Sequence, residues 1–281
     1  MLLNNRIIWS DNGTLKDLSS VLSNFASGSQ VIDYVASEDE IFIGSDMPFN
    51  HRYFQVKVAN DQDAQAKVAI WTGNAFEDTV DQIDQTLDST GAKSMAKSGI
   101  LSWVPDRQKY WVREESTENI TDLSTLKIYN LYWARLKFDA NLKNTFELAY
   151  VGHRFCSDND LYSKFPDLAN TDLMTSFAAG KVDWVEQQVA ASEVVVRDLR
   201  ADNKLWSVNQ VLEWERFQEA AVYKTAEFAF SAFGKDYADD VASARKYYKE
   251  ALGQSRGGID LDGNGALKPY EQVSQAGVRR R

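Results

Sequence analysis

The chain has 281 residues, a net charge of −10 and an apolar fraction of 44%, which suits a globular protein of two domains with sizeable cores. The acidic balance argues against a surface that binds nucleic acid by neutralising phosphates. One cysteine, Cys156, excludes an intrachain disulfide and fits an intracellular assembly compartment. No apolar run approaches the ~20 residues of a membrane helix, and the opening Met1-Leu2-Leu3-Asn4-Asn5 has neither the charged nor the apolar region of a secretion signal.

From about Val31 to Phe155 the pattern is that of strands. Ile41–Ile43, Tyr53–Val58, Lys67–Trp71, Gly99–Trp103, Tyr110–Arg113 and Tyr132–Phe138 are short, partly alternating, and rich in β-branched and aromatic residues. Gly44-Ser45-Asp46, Thr72-Gly73-Asn74 and Pro105-Asp106 supply turns between them. Strands without intervening helices predict an antiparallel β-sandwich, jelly-roll-like, over residues 1–157.

The period changes beyond Asp158. Trp184/Val185, Gln188/Val189, Ser192, Val195/Val196 and Leu199 predict an amphipathic helix from about Val182 to Arg200. Ser207-Val208-Asn209-Gln210 has the form of a capping box, which predicts a second helix from Ser207 to Phe233 with Gly234 just past its end. A third is predicted from about Tyr237 to Leu252. Residues 158–256 thus read as a helical bundle, and 257–281 as a loop and tail. The whole is an α+β multidomain fold class.

The loop carries the sharpest motif. Asp260-Leu261-Asp262-Gly263-Asn264-Gly265-Ala266-Leu267-Lys268-Pro269-Tyr270-Glu271 fits the spacing of an EF-hand calcium loop. Asp260, Asp262 and Asn264 offer side-chain oxygens, Ala266 a backbone carbonyl and Glu271 a carboxylate able to bind bidentately. Gly265 stands where the chain must turn sharply, and Pro269 is pre-set for the first turn of an exiting helix. The loop is single, and its ninth position holds the cationic Lys268, which implies modest affinity and a structural clip, not a sensor. Calcium is the expected cofactor.

No catalytic constellation is legible, and the expectation is a protein that is not an enzyme. His51 and His153 lie beside aromatic-rich strands, and the spacing of His153 from Cys156 belongs to no established nucleophile arrangement. The carboxylates of Asp78–Asp81 and Asp158–Asp160 are ordinary in exposed turns. Trp9, Trp71, Trp103, Trp111 and Trp133 leave an alternative open: a calcium-dependent carbohydrate-binding module with tryptophan stacking platforms. Large aromatics on strands more often face inward.

The order of parts in the C-terminal half resembles tailed-bacteriophage head-tail connector, or adaptor, proteins of the neck. The resemblance runs through Asp167-Leu168, Gly180-Lys181-Val182-Asp183-Trp184, Ala191-Ser192-Glu193, Val195–Arg200, Trp214–Phe217 and Tyr247–Leu252. Ile43–His51, Ile70–Gly73, Lys97–Trp103 and Tyr150–His153 look like a β-sandwich domain carried by some of these proteins. The resemblance implies a virion structural protein at the head-tail junction, assembled in the host cytoplasm. It implies a homo-oligomeric ring, a dodecamer by analogy, that contacts the portal protein and tail or tail-terminator proteins. Genome DNA would pass through its channel without specific binding, and no membrane is involved. By the same analogy Arg279, Arg280 and Arg281 would reach an acidic partner surface at the portal.

Overall fold

The computed structural model describes residues 5–104, 111–113, 131–202, 205–255 and 257–272. The chain divides into two compact units, residues 1–152 with Gly263–Gly265, and residues 153–262 with 266–281. The stretch from 257 onward, read from the sequence as a separate segment, is shared between these units. The architecture is mixed α+β, with two antiparallel sheets in the first unit and helices in the second.

Eleven strands are described in the first unit: β1 (Arg6–Asp11), β2 (Thr14–Asp17), β3 (Gln30–Val31), β4 (Glu40–Ser45), β5 (His51–Val58), β6 (Ala66–Trp71), β7 (Phe76–Asp78), β8 (Val80–Asp84), β9 (Gly99–Val104), β10 (Tyr132–Phe138) and β11 (Glu147–Gly152), with a short helix α1 (Ser19–Leu22). One sheet runs β2-β1-β4-β10-β6-β7 and the other β3-β11-β5-β9-β8. Alternation sorts the side chains. Ile7, Trp9, Ile41, Ile43, Ala134 and Leu136 of the first sheet share one core with Phe54, Leu101, Trp103, Leu148 and Val151 of the second. The intervening residues Ile8, Phe42 and Trp133, with Trp71 and Leu131, form a second buried cluster. Trp133 is opposite Gly44 in register, and a Cβ at Gly44 would lie 2.5 Å from its ring. Arg135 and Lys137 both pair with Glu40, at 3.3 and 2.8 Å.

In the strands of the first unit two outcomes differ from the sequence reading. Strands begin at Arg6, well before Val31, because Asn12 and Gly13 take positive φ (47° and 75°) and close the β1–β2 hairpin, a strong hairpin dipeptide. The strand expected over Tyr110–Arg113 is, in its described part, a single bridge from Arg113 to Tyr132; Tyr110 and the Pro105-Asp106 turn lie outside the described residues.

The second unit contains α2 (Asp158–Lys164), α3 (Thr171–Phe177), α4 (Val185–Ala201), α5 (Gln218–Ser231), α6 (Ala238–Gln254) and α7 (Pro269–Gln272). A Ser157/Asp160 capping box opens α2. Its core joins Leu168, Trp184, Val195, Leu199, Phe217, Phe230, Tyr248 and Ile259. Trp184 Nε1 donates to the Leu168 carbonyl at 2.8 Å, which satisfies the indole inside the core.

The continuous helix expected from Ser207 to Phe233 is interrupted. The Ser207/Gln210 capping box forms, but it opens only a 3-10 turn, Val208–Gln210. Val211 is then extended and bridges Ile259, while the Leu212 and Glu213 amides both donate to the Gly258 carbonyl, at 3.0 and 3.2 Å. Amides committed to another segment are not available for helical bonds to the preceding turn. A second 3-10 turn, Trp214–Phe217, leads into α5.

Candidate metal centre

Ile259 enters the loop paired with Val211. The next residue, Asp260, donates its amide to the Gln210 carbonyl at 2.8 Å, and its own carbonyl accepts from Gln210 Nε2 at 2.7 Å. Gln210 Oε1 meanwhile accepts from the amides of Trp206 and Ser207, at 2.6 and 3.0 Å. One buried amide side chain therefore ties the cap of the 3-10 turn to the start of the loop.

At the far end Pro269 opens α7, as its fixed φ favours. Glu271 closes the loop. Its carboxylate accepts from the amides of Leu261 and Lys268, at 2.9 and 2.7 Å. Its backbone carbonyl accepts from Gly258 at 2.8 Å. Gly258, with φ +79°, is tightly held: a Cβ there would lie 2.7 Å from that of Glu213. The Gly257-Gly258 pair is therefore a pinned junction, with Gly258 bonded on both sides. Gly265 takes φ +81°, the conformation that its place at the tightest bend demands.

The result is a group of three carboxylates. Ligand atoms of Asp260, Asp262 and Glu271 all lie within 4.8 Å of one another. Asp260 and Glu271 are 0% and 3% exposed, whereas Asp262 is open to solvent. Lys268 Nζ pairs with Asp262 Oδ2, and this contact holds the ammonium above its ordinary range. Asn264 and Ala266, the other two ligands expected from spacing, are exposed residues of the intervening loop. Arg279, Arg280 and Arg281 lie outside the described residues. All-oxygen donors clustered in this way fit a hard divalent cation and lack the nitrogen and sulfur ligands that favour zinc.

Three other titratable groups, His51, Cys156 and Asp158, have structural settings. His51 is buried beside Asn50, its Nδ1 2.9 Å from Asn50 Oδ1, and burial, then Arg52, push it down to about 3. Cys156 is buried with Sγ 3.6 Å from Thr225 Oγ1. Burial pushes its thiol up to about 12, which disfavours the nucleophilic thiolate. Asp158 accepts from Trp184 N and Gln188 Nε2, at 3.1 and 2.8 Å, with its carboxyl raised chiefly by burial. Trp9, Trp71, Trp103 and Trp133 are all buried and Trp111 is partly so, whereas Trp206 is 84% exposed.

The role of Gln210 in the loop is absent from the sequence reading. The capping box signals the residue, but its partner lies fifty positions away. Comparison with known proteins finds no matching family model, no matching curated protein and no matching solved structure. Among the described residues no helix is long and apolar enough to cross a membrane.

Proposed function

We propose that this chain is a structural protein of the tailed-phage neck, a ring component that joins the portal vertex to the tail around the DNA channel. The observation that supports this reading is that apolar residues from the C-terminal segments on which the resemblance rests share a core. Leu168, Trp184, Val195, Val196, Leu199, Phe217, Tyr248 and Ala251 share one core, with Trp214 and Leu252 packed against it. Residues scattered over more than eighty positions therefore build one helical module, which by the resemblance would correspond to the part that surrounds the channel in connector proteins. The net charge of −10 suits a wall that DNA slides past.

In this reading the two sheets form a jelly-roll-like sandwich that projects from the ring as a collar or decoration. The loop 260–271 is an EF-hand-like clip that binds calcium through Asp260, Asp262, Asn264, the Ala266 carbonyl and Glu271. Calcium would supply charge neutralisation for the clustered carboxylates and tie α7 to the Gln210–Glu213 segment. No substrate is turned over. The protein acts by being gripped: by copies of itself, by the portal and by a tail protein.

Reconstruction of the intact particle tests the proposal. Density for this chain in a ring between portal and tail is the expected result. Its absence from that junction, with the chain found elsewhere in the particle or not at all, would overturn the reading.

A further inference from the structure

We propose that Lys268 is a tethered competitor that contests the Asp262 carboxylate with the cation bound by Asp260, Asp262 and Glu271, and that its ammonium lowers the affinity of the site. This inference rests on the calcium reading above. Asp260 and Glu271 form the buried side of the carboxylate group, and Asp262 the solvent side. Lys268 Nζ pairs with Asp262 Oδ2 on that solvent side.

The backbone of Lys268 is fixed to the same group. Its amide donates to Glu271 Oε2 at 2.7 Å, and its carbonyl accepts from the Glu271 amide at 2.9 Å. The ammonium therefore hangs on a short leash from the ligand it flanks, so its return to Asp262 is an intramolecular step. An arriving divalent cation must displace the ammonium from Asp262, which costs the ion pair, or share that carboxylate with it, which costs Coulomb repulsion between the two cations. Glu271 is different, because the Leu261 and Lys268 amides orient both of its oxygens. The backbone at 268 organises the site while the side chain opposes the ion, and substitution of the side chain separates the two roles.

Calcium titration by calorimetry of the full-length chain, after chelator treatment, compares wild type with Lys268→Gln, Lys268→Met and Lys268→Arg. The Gln and Met variants should bind about tenfold tighter, equivalent to ~1.4 kcal/mol, and the Arg variant should match wild type. The melting temperature of the chelated Gln and Met variants should stay equal or fall, because the Asp262 pair is lost; a merely structural lysine would lower affinity along with stability. Gln and Met variants that bind calcium with wild-type affinity or weaker would overturn the role of Lys268 and leave the metal reading standing. If none of the four proteins takes up calcium at millimolar concentration, the metal reading falls and this inference falls with it.

Discussion

Gln210 and Asp260 exchange two hydrogen bonds across fifty residues of chain, the Asp260 amide to the Gln210 carbonyl at 2.8 Å and Gln210 Nε2 to the Asp260 carbonyl at 2.7 Å. The relationship interrupts an expected helix and positions the first carboxylate of the loop in the same stroke. Gln210 is 1% exposed, so both bonds are shielded from water and their loss is not made good by solvent.

Replacing Gln210 with Leu keeps the volume and deletes the amide, removing its hydrogen bonds with the Asp260 carbonyl and with the Trp206 and Ser207 amides. Stability should fall by about 3 kcal/mol, with or without a chelator, and calcium affinity should fall as well. Urea unfolding reads the first effect and calorimetry the second. A loss under ~0.5 kcal/mol, ordinary for surface positions, would show that the bridge contributes little.

Glu271→Gln tests the metal site through stability. If calcium binds only the folded chain, a hundredfold excess over Kd adds about 2.7 kcal/mol to the wild type, and a chelator removes it. The variant should melt at one temperature in both conditions. An equal calcium-dependent shift in variant and wild type would dismiss Glu271 as a ligand.

His51 gives the fold a pH dependence. Its imidazole titrates near 3 when folded, against an ordinary 6.5. Between those values the unfolded chain takes up a proton that the native chain refuses. The contribution is whole above pH 6.5 and is lost as pH falls toward 3, with a slope of at most about 1.4 kcal/mol per pH unit. His51→Gln, compared with wild type by urea unfolding near neutrality and at about pH 5, should show the shallower decline. Parallel declines would mean that other groups control acid sensitivity.

Gly44→Ala should destabilise the sheet unit by about 2–3 kcal/mol through overpacking, because the new methyl would meet the Trp133 ring at 2.5 Å. Chemical denaturation measures it. The pairing of the double variant Gly44→Ala/Trp133→Leu should recover part of the loss, and full additivity would contradict the steric account.

Much of the fold was legible locally. Alternation identified β4, β5, β6, β9 and β10, and the helical period identified α4 and α6, since burial of one face imposes its period on the residues. The first hairpin lies outside the strand pattern that begins near Val31, although Asn12-Gly13 is a strong hairpin dipeptide. The broken helix was not legible at all: Val211, Leu212 and Glu213 look like helix formers in a capped segment, and only Gly258 and Ile259 claim their backbone.

The sequence by itself determined which residues carry the oxygen donors, because the loop's spacing and its glycines follow from the geometry of one short turn. Tertiary structure alone decided that Asp260 and Glu271 are buried and that Gln210 anchors the loop. Burial and pairing between distant segments depend on what the rest of the chain packs against each residue, and no local pattern of residues encodes that.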